Sequence, residues 1–256
     1  TVTMRILLGL LRPTGGQALV LGDDPWHDAV SLHRRIAYVP GDTNLWPNLT
    51  GGEILDLLAG LHGGVDHHRR AELIDRFELD VRKKARSYSK GNRQKVALVA
   101  ALATNAELFI LDEPTSGLDP LMEVVFQHEV NRLRSNGCTV LLSSHVLGEV
   151  EKLCDRVTII REGRTVRSGT LGELRHLTRT TVRATVAGPP ESLADQRWAN
   201  GLRVEGHDVA FDVDSDKLNE ALTVLVDLGV VTLASHPPTL EELFLRNYGP
   251  EGDPPS

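Results

Sequence analysis

The sequence predicts a layered α/β core with parallel strands, interrupted by a helical insert and followed by a small α+β unit. Three observations carry that prediction. Short apolar runs of strand length alternate with stretches of helical periodicity through the first two-thirds of the chain. Residues 49–86 keep helical spacing with no strand. Beyond about residue 180 the pattern changes to short strands interspersed with helical segments, as in a small α+β unit.

The elements follow in order. Residues 1–11 read as a helix through Leu7, Leu8, Leu10 and Leu11, ended by Pro13 and the Gly15-Gly16 turn. Residues 18–21 read as a short strand closed by Gly22-Asp23-Asp24-Pro25. Ile36–Val39 is a strand stopped by Pro40-Gly41. From 49 to 79, Ile54, Leu55, Leu57, Leu58 and Leu61 make one apolar helical face, and Leu73, Ile74 and Phe77 another. A helix opens near Ser89 and runs through 96–102. Residues 108–111 form a buried strand, 121–134 a helix stopped by Gly137, and 139–142 a strand. A helix at 146–154 precedes two strands, 157–160 and 165–168, around the Glu162-Gly163 turn.

In the last part, 182–186 alternates as a half-buried strand, and 202–204 and 209–213 flank a turn at Gly206-His207-Asp208. Leu218, Ala221, Leu222, Leu225 and Val226 share a helical face stopped by Gly229, and 230–233 is a strand. Thr239-Leu240-Glu241-Glu242 has the form of a capping box that opens a final helix.

Composition narrows the class. The 256 residues are 41% apolar and 25% charged, ordinary for a globular protein with one substantial core and a smaller second one. The apolar run at 96–103 is far too short to cross a bilayer. A formal charge of -7 argues against nucleic-acid binding driven by phosphate attraction, though not against a local basic patch. Cys138 and Cys154 lack CxxC spacing and read as two reduced, packed thiols.

The chemistry is concentrated in Leu108-Phe109-Ile110-Leu111-Asp112-Glu113-Pro114. An apolar run makes a buried strand, and two carboxylates appear at its C-terminal end, where open α/β sheets bind ligands. An aspartate there can hold Mg²⁺ beside a nucleotide phosphate, directly or through water. Glu113, next along, can orient an attacking water or accept its proton. Taken alone, the same stretch also suits a buried strand that ends in a solvated acidic turn.

Three motifs in order add a resemblance. Leu111-Asp112-Glu113-Pro114-Thr115-Ser116-Gly117-Leu118-Asp119-Pro120 resembles the Walker B and D-loop segment of ABC-type ATPases. Tyr88-Ser89-Lys90-Gly91-Asn92-Arg93-Gln94-Lys95 resembles the ABC signature, and Leu141-Leu142-Ser143-Ser144-His145 the switch-histidine segment. The resemblance covers 1 to about 175, and the remainder resembles, more weakly, the C-terminal extension of some export-type subunits. It implies a P-loop NTPase-type core, expected here to lack its first strands and phosphate loop. The implied ATPase domain is 1–178 with a helical subdomain at about 45–100, then an α+β extension at 179–250 and a disordered tail at 251–256.

The resemblance also implies roles. Glu113 and His145 would be catalytic, with His145 touching the γ-phosphate of ATP. Asp112 would hold Mg²⁺, together with Thr1, which aligns with the final hydroxyl residue of the phosphate loop. Ser89, Lys90, Gly91 and Asn92 would press onto ATP held by an opposite subunit, and Asp119 would reach across that dimer. A helix N-terminus capped by Ser89 suits phosphate, and Gly91 lets backbone approach a ligand closely. Partners would be transmembrane permease subunits, docking near 45–61, and a second nucleotide-binding domain, identical or not. The place would be the cytoplasmic face of the membrane, and the task export of a drug, antibiotic or similar small molecule.

The chain departs from the family at several points. Lys90 stands where glycine is usual and Asn92 where glutamine is usual. Lys90 adds charge near the phosphate or points to solvent. After Ile36–Val39, Pro40-Gly41-Asp42 replaces the usual glutamine, leaving Asp42 as a substitute or as an ordinary turn residue. No GxxxxGK[ST] is present and the chain opens on Thr1, so a piece of a longer protein is expected, one that binds ATP negligibly until extended upstream. Two rival classes remain: a soluble ATPase acting on nucleic acid or ribosomes, and a non-catalytic assembly domain. The interval between Gly41 and Tyr88 is too short for the long coiled coil of DNA-repair members, and no second cassette appears. Intact Asp112, Glu113 and His145 argue against degeneracy.

Overall fold

A strand buried at all five positions, Leu108–Asp112, forms the centre of the first of the chain's two units. The computed structural model describes residues 2–62, 64–176 and 179–236. The first unit, Thr1–Val146, runs α1 (Val2–Leu7), α2 (Ala29–His33), β1 (Ile36–Val39), α3 (Gly51–His62), α4 (His67–Arg76), α5 (Lys90–Leu102), β2 (Leu108–Asp112), α6 (Pro120–Ser135) and β3 (Thr139–Ser143). The three strands form a parallel sheet with β2 in the middle, which is why its run is apolar without alternation. The register sets Val39 beside Leu111, and Asp112 beside Ser143.

Around β2, Phe109, Ile110 and Leu111 are fully buried, as are Val96, Leu98 and Val99 of α5. Helix α5 packs against β1, α3 and α4 and so joins the sheet to the helical insert. Met4, Leu8, Leu32, Ile36 and Ile110 close a second cluster over β1 and β2.

Three expectations change here. The first helix ends at Leu7 rather than 11, because Gly9 takes φ +65 and the Leu10 amide bonds back to the Arg5 carbonyl (2.9 Å). A Cβ on Gly9 would lie 2.0 Å from the Pro25 carbonyl oxygen, so only glycine fits that stop. The strand expected at 18–21 is instead a tight reversal, with Val20 and Asp23 bonded to each other both ways around left-handed Leu21 and Gly22. Helix α2 was not expected, being five residues with one buried side chain, Leu32.

The second unit, Leu147–Ser256, runs α7 (Leu147–Leu153), β4 (Arg156–Arg161), β5 (Arg164–Thr170), α8 (Leu171–His176), β6 (Thr180–Val186), β7 (Asn200–Glu205), β8 (Asp208–Val213), α9 (Leu218–Asp227) and β9 (Val230–His236). β4 and β5 form an antiparallel hairpin, and the other four strands an antiparallel sheet in the order β7-β8-β6-β9. Helix α9 packs on β6 and β9, over a core that includes Val182, Val186, Phe211, Val213, Ala221 and Leu225. Trp198 tilts against Phe211 with ring centres 5.4 Å apart. The capping box at Thr239 and the tail at 251–256 lie outside the described residues. Among the described residues, capping boxes form at Thr50 with Glu53 before α3 and at Thr170 with Glu173 before α8.

Candidate functional site

The acidic pair emerges where β2 ends. Asp112 is 3% exposed, and its Oδ1 accepts from the Ser143 hydroxyl at 2.5 Å, across the register of β2 and β3. That hydroxyl also accepts from the Glu113 amide (3.2 Å), which reaches the Ser143 carbonyl as well (3.1 Å). One serine therefore fixes both acidic residues, using its single proton on the buried carboxylate. Glu113 takes φ +48, a left-handed conformation that costs a non-glycine residue roughly 1–3 kcal/mol and turns the chain off the strand.

The Glu113 carboxylate faces His145, with Oε2 2.6 Å from Nδ1. A carboxylate only accepts, so Nδ1 carries the proton and Nε2 is the nitrogen left for a ligand or water. The imidazole is 78% exposed, placing the pair at an accessible surface. Gly41, at the end of β1, packs on the same pair: a Cβ there would lie 3.6 Å from Asp112 Cγ and 3.6 Å from Glu113 Cβ. Burial, and then the charge of Asp112, push the Tyr38 phenol above its ordinary pKa, so Tyr38 stays neutral beside the site. Asp42 is exposed and its carboxylate accepts from Asn44 Nδ2 (3.4 Å).

A second group gathers at the tip of α5. Ser89 caps the helix, its Oγ accepting from the Asn92 amide at 3.2 Å. Gly91 is pressed onto the loop before α6, where a Cβ would stand 2.3 Å from the Gly117 carbonyl oxygen. Gly91 thus permits a close approach of its own chain. Lys90 is exposed, and its Nζ donates to Ser116 Oγ at 2.7 Å. Asp119 caps α6, its Oδ1 accepting from the Leu121 (3.1 Å) and Met122 (3.0 Å) amides. Thr1 lies outside the described residues.

Sequence reasoning assigned no role to two residues, Gln94 and its partner Thr43. Gln94 is 1% exposed; its Nε2 donates to the Pro114 carbonyl (3.0 Å) and its Oε1 accepts from the Thr43 hydroxyl (2.7 Å). In the sequence Gln94 stood inside the signature-like stretch 88–95 without a role of its own, a polar residue on a helix whose neighbours Val96, Leu98 and Val99 are buried.

Comparison with known proteins fits this arrangement. The sequence pattern of the family described as "ABC transporter" matches residues 1–116. An uncharacterised ABC transporter ATP-binding protein of Nostoc sp. is 41% identical, over 68% of this chain and 53% of its own length. Another, of Synechocystis sp., is 31% identical over 98% of this chain and 72% of its own length. The chain belongs to the ABC transporter ATP-binding proteins. It spans about half the length of the Nostoc relative and nearly three-quarters of the Synechocystis one. The daunorubicin/doxorubicin resistance ATP-binding protein DrrA of Streptomyces peucetius, in the same family, is 34% identical over 93% of this chain and 67% of its own length.

Solved structures agree with the family assignment and give a core of the P-loop NTPase type. An ATP-binding subunit of an ABC transporter superposes with TM-score 0.65 at 31% identity, covering 69% of this chain and 75% of the other. A dimeric ATP-binding cassette in a post-hydrolysis state, bound to ADP and Pi, superposes with TM-score 0.59 at 25% identity, covering 66% and 79%.

Proposed function

We propose that this chain is the ATP-hydrolysing part of an ABC exporter, with Glu113 orienting the attacking water and His145 holding the γ-phosphate. The observation that carries the reading is the 2.6 Å pairing of Glu113 with His145 at the end of β2, with Asp112 beside it. A carboxylate locked through its backbone and paired to an imidazole is set to position a water without reorganising, so the chemistry rests on placement and charge.

The donor set near Asp112 suits Mg²⁺. A buried carboxylate and the Ser143 hydroxyl are hard oxygen groups, and among the described residues no three His, Cys, Asp or Glu side chains gather as a metal cage. Mg²⁺ is ordinarily held by one or two carboxylates while phosphates and waters complete its shell. Asp112, with Thr1, would hold the ion, which when bound neutralises charge on the phosphates.

Ser89, Lys90, Gly91, Asn92 and Asp119 would meet ATP across a dimer of two such domains, consistent with the dimeric cassette similar to this chain. Permease subunits would dock near 45–61, placing the protein on the cytoplasmic face of the membrane. The similarity to DrrA and to the bacitracin transport ATP-binding protein BcrA of Enterococcus faecalis supports a drug or antibiotic as cargo. The ATPase domain would extend to about 178. The antiparallel sheet beginning at Thr180, with its own core, would be the extension.

The test is Glu113→Gln in the full-length gene product. ATP binding measured by calorimetry should persist while steady-state phosphate release is lost. Undiminished phosphate release would remove Glu113 from this role.

A further inference from the structure

We propose that Gln94 is a positioning residue that ties the loop 40–44 to Glu113, so that the state of that loop sets the geometry of the attacking-water site. The inference rests on the ATPase reading above and adds a residue to it.

The atoms define the relay. Pro114 has no amide proton, and its ring holds φ, so its carbonyl is the remaining handle on the backbone just after Glu113. Gln94 Nε2 holds that carbonyl at 3.0 Å. A carbonyl only accepts, so the amide nitrogen of Gln94 must face Pro114 and its Oε1 must face Thr43. The Thr43 hydroxyl has one proton; it lies 2.7 Å from Gln94 Oε1 against 3.5 Å from the Pro40 carbonyl, so the proton goes to Gln94. Both side chains are buried, Gln94 at 1% and Thr43 at 7%, and a bond broken at either end leaves a polar atom with no water to replace it.

Glu113 is thus held from both sides. Ser143 takes its amide, and the Ser116 amide donates to its carbonyl (3.1 Å). Gln94 takes the next carbonyl along. The backbone so held is left-handed at Glu113 and would relax if one anchor were released. Gly41 offers no side chain to the acidic pair, so within loop 40–44 the side-chain route to Glu113 runs through Thr43 and Gln94.

The experiment measures ATP hydrolysis in the full-length protein carrying Thr43→Val, Thr43→Ser, Gln94→Leu and Thr43→Val/Gln94→Leu, with Glu113→Gln alongside. Thr43→Val keeps shape and removes the donor. It should lower kcat by about tenfold with KM for ATP unchanged, the size expected when a buried partner is left unsatisfied. Thr43→Ser, which restores the hydroxyl, should recover most of the rate, and the double variant should be no slower than Gln94→Leu alone. If Gln94→Leu fails to fold, the two Thr43 variants decide the matter between them. A wild-type kcat in Thr43→Val with only a lowered Tm, a Thr43→Ser enzyme as slow as Thr43→Val, or rate losses that multiply in the double variant would each overturn the relay. If Glu113→Gln hydrolyses ATP normally, the ATPase reading fails and the relay with it; if Glu113→Gln is dead while Thr43→Val is normal, the relay alone fails.

Discussion

Gly91→Ala should destabilise the protein, although adding a methyl group to a helical glycine ordinarily does the reverse. The new Cβ would lie 2.3 Å from the Gly117 carbonyl oxygen and 3.3 Å from its carbon. Ordinary contact begins near 3.4 Å, so the carbonyl or the tip of α5 must retreat by about 1 Å. Both partners are backbone, and Gly117 is itself held at φ +83 with Lys90 packed on it, so neither can swing aside as a side chain would. Overpacking of this kind costs about 1–3 kcal/mol, while alanine recovers about 0.5–1 kcal/mol of helix propensity, leaving a net loss of up to about 2.5 kcal/mol. For a unit of this size the loss corresponds to a drop in Tm of up to about 10 °C. Gly60→Ala is the matched control: it lies inside α3 with open space where the new methyl would stand, and should gain about 0.5–1 kcal/mol. Urea and thermal unfolding of the two variants read the difference. A Gly91→Ala protein as stable as Gly60→Ala would refute the close packing of the α5 tip on the loop before α6.

Glu129 of α6 is 1% exposed and pairs with Arg69 and Arg76 of α4. Glu129→Leu would leave Arg69 buried with only Glu72 (2.6 Å) as counter-charge, and should cost about 3 kcal/mol in urea unfolding; a loss below about 1 kcal/mol would contradict the pairing. The Glu53 carboxylate accepts from the Thr50 amide at 2.7 Å and hydroxyl at 2.8 Å, and these bonds hold its pKa below the ordinary glutamate value. A depressed carboxylate stabilises the fold above its unfolded pKa and loses that contribution as pH falls through the folded one. The wild-type Tm should therefore fall more steeply than that of Glu53→Gln as pH drops below about 4.5, and parallel slopes in the two proteins would exclude the contribution.

The most legible part of the fold was the part whose information is local. The unbroken apolar run before Asp112 announced a strand covered on both faces, and β2 is buried at every position. The serine before α5 announced a cap, and Ser89 makes that bond. Where local signals competed, the reading slipped. Leu10 and Leu11 continued the helical spacing past Gly9, but the approach of Pro25 to Gly9 decided the end of α1. The apolar residues at 18–21 matched a strand, yet two left-handed residues reversed the chain.

The candidate site divides along the same line. The order Asp112, Glu113 and His145 was readable as a set of motifs, because strand ends recur at the same edge of a parallel sheet. That Ser143 bonds both acidic residues needed the register of β2 with β3.

By itself, then, the amino-acid sequence determined most of the strands and helices, which family the chain resembles, and which chemical groups appear at strand ends. Tertiary structure alone decided that Lys90 bonds Ser116, that Gly91 is required by Gly117, that Glu129 pairs with two arginines, and that Gln94 joins Thr43 to Pro114. Periodicity and capping depend on neighbours within a turn or two, which the sequence displays directly. These four contacts join residues 20 or more positions apart in the chain, and their geometry exists only once α4, α5, α6 and the sheet have packed.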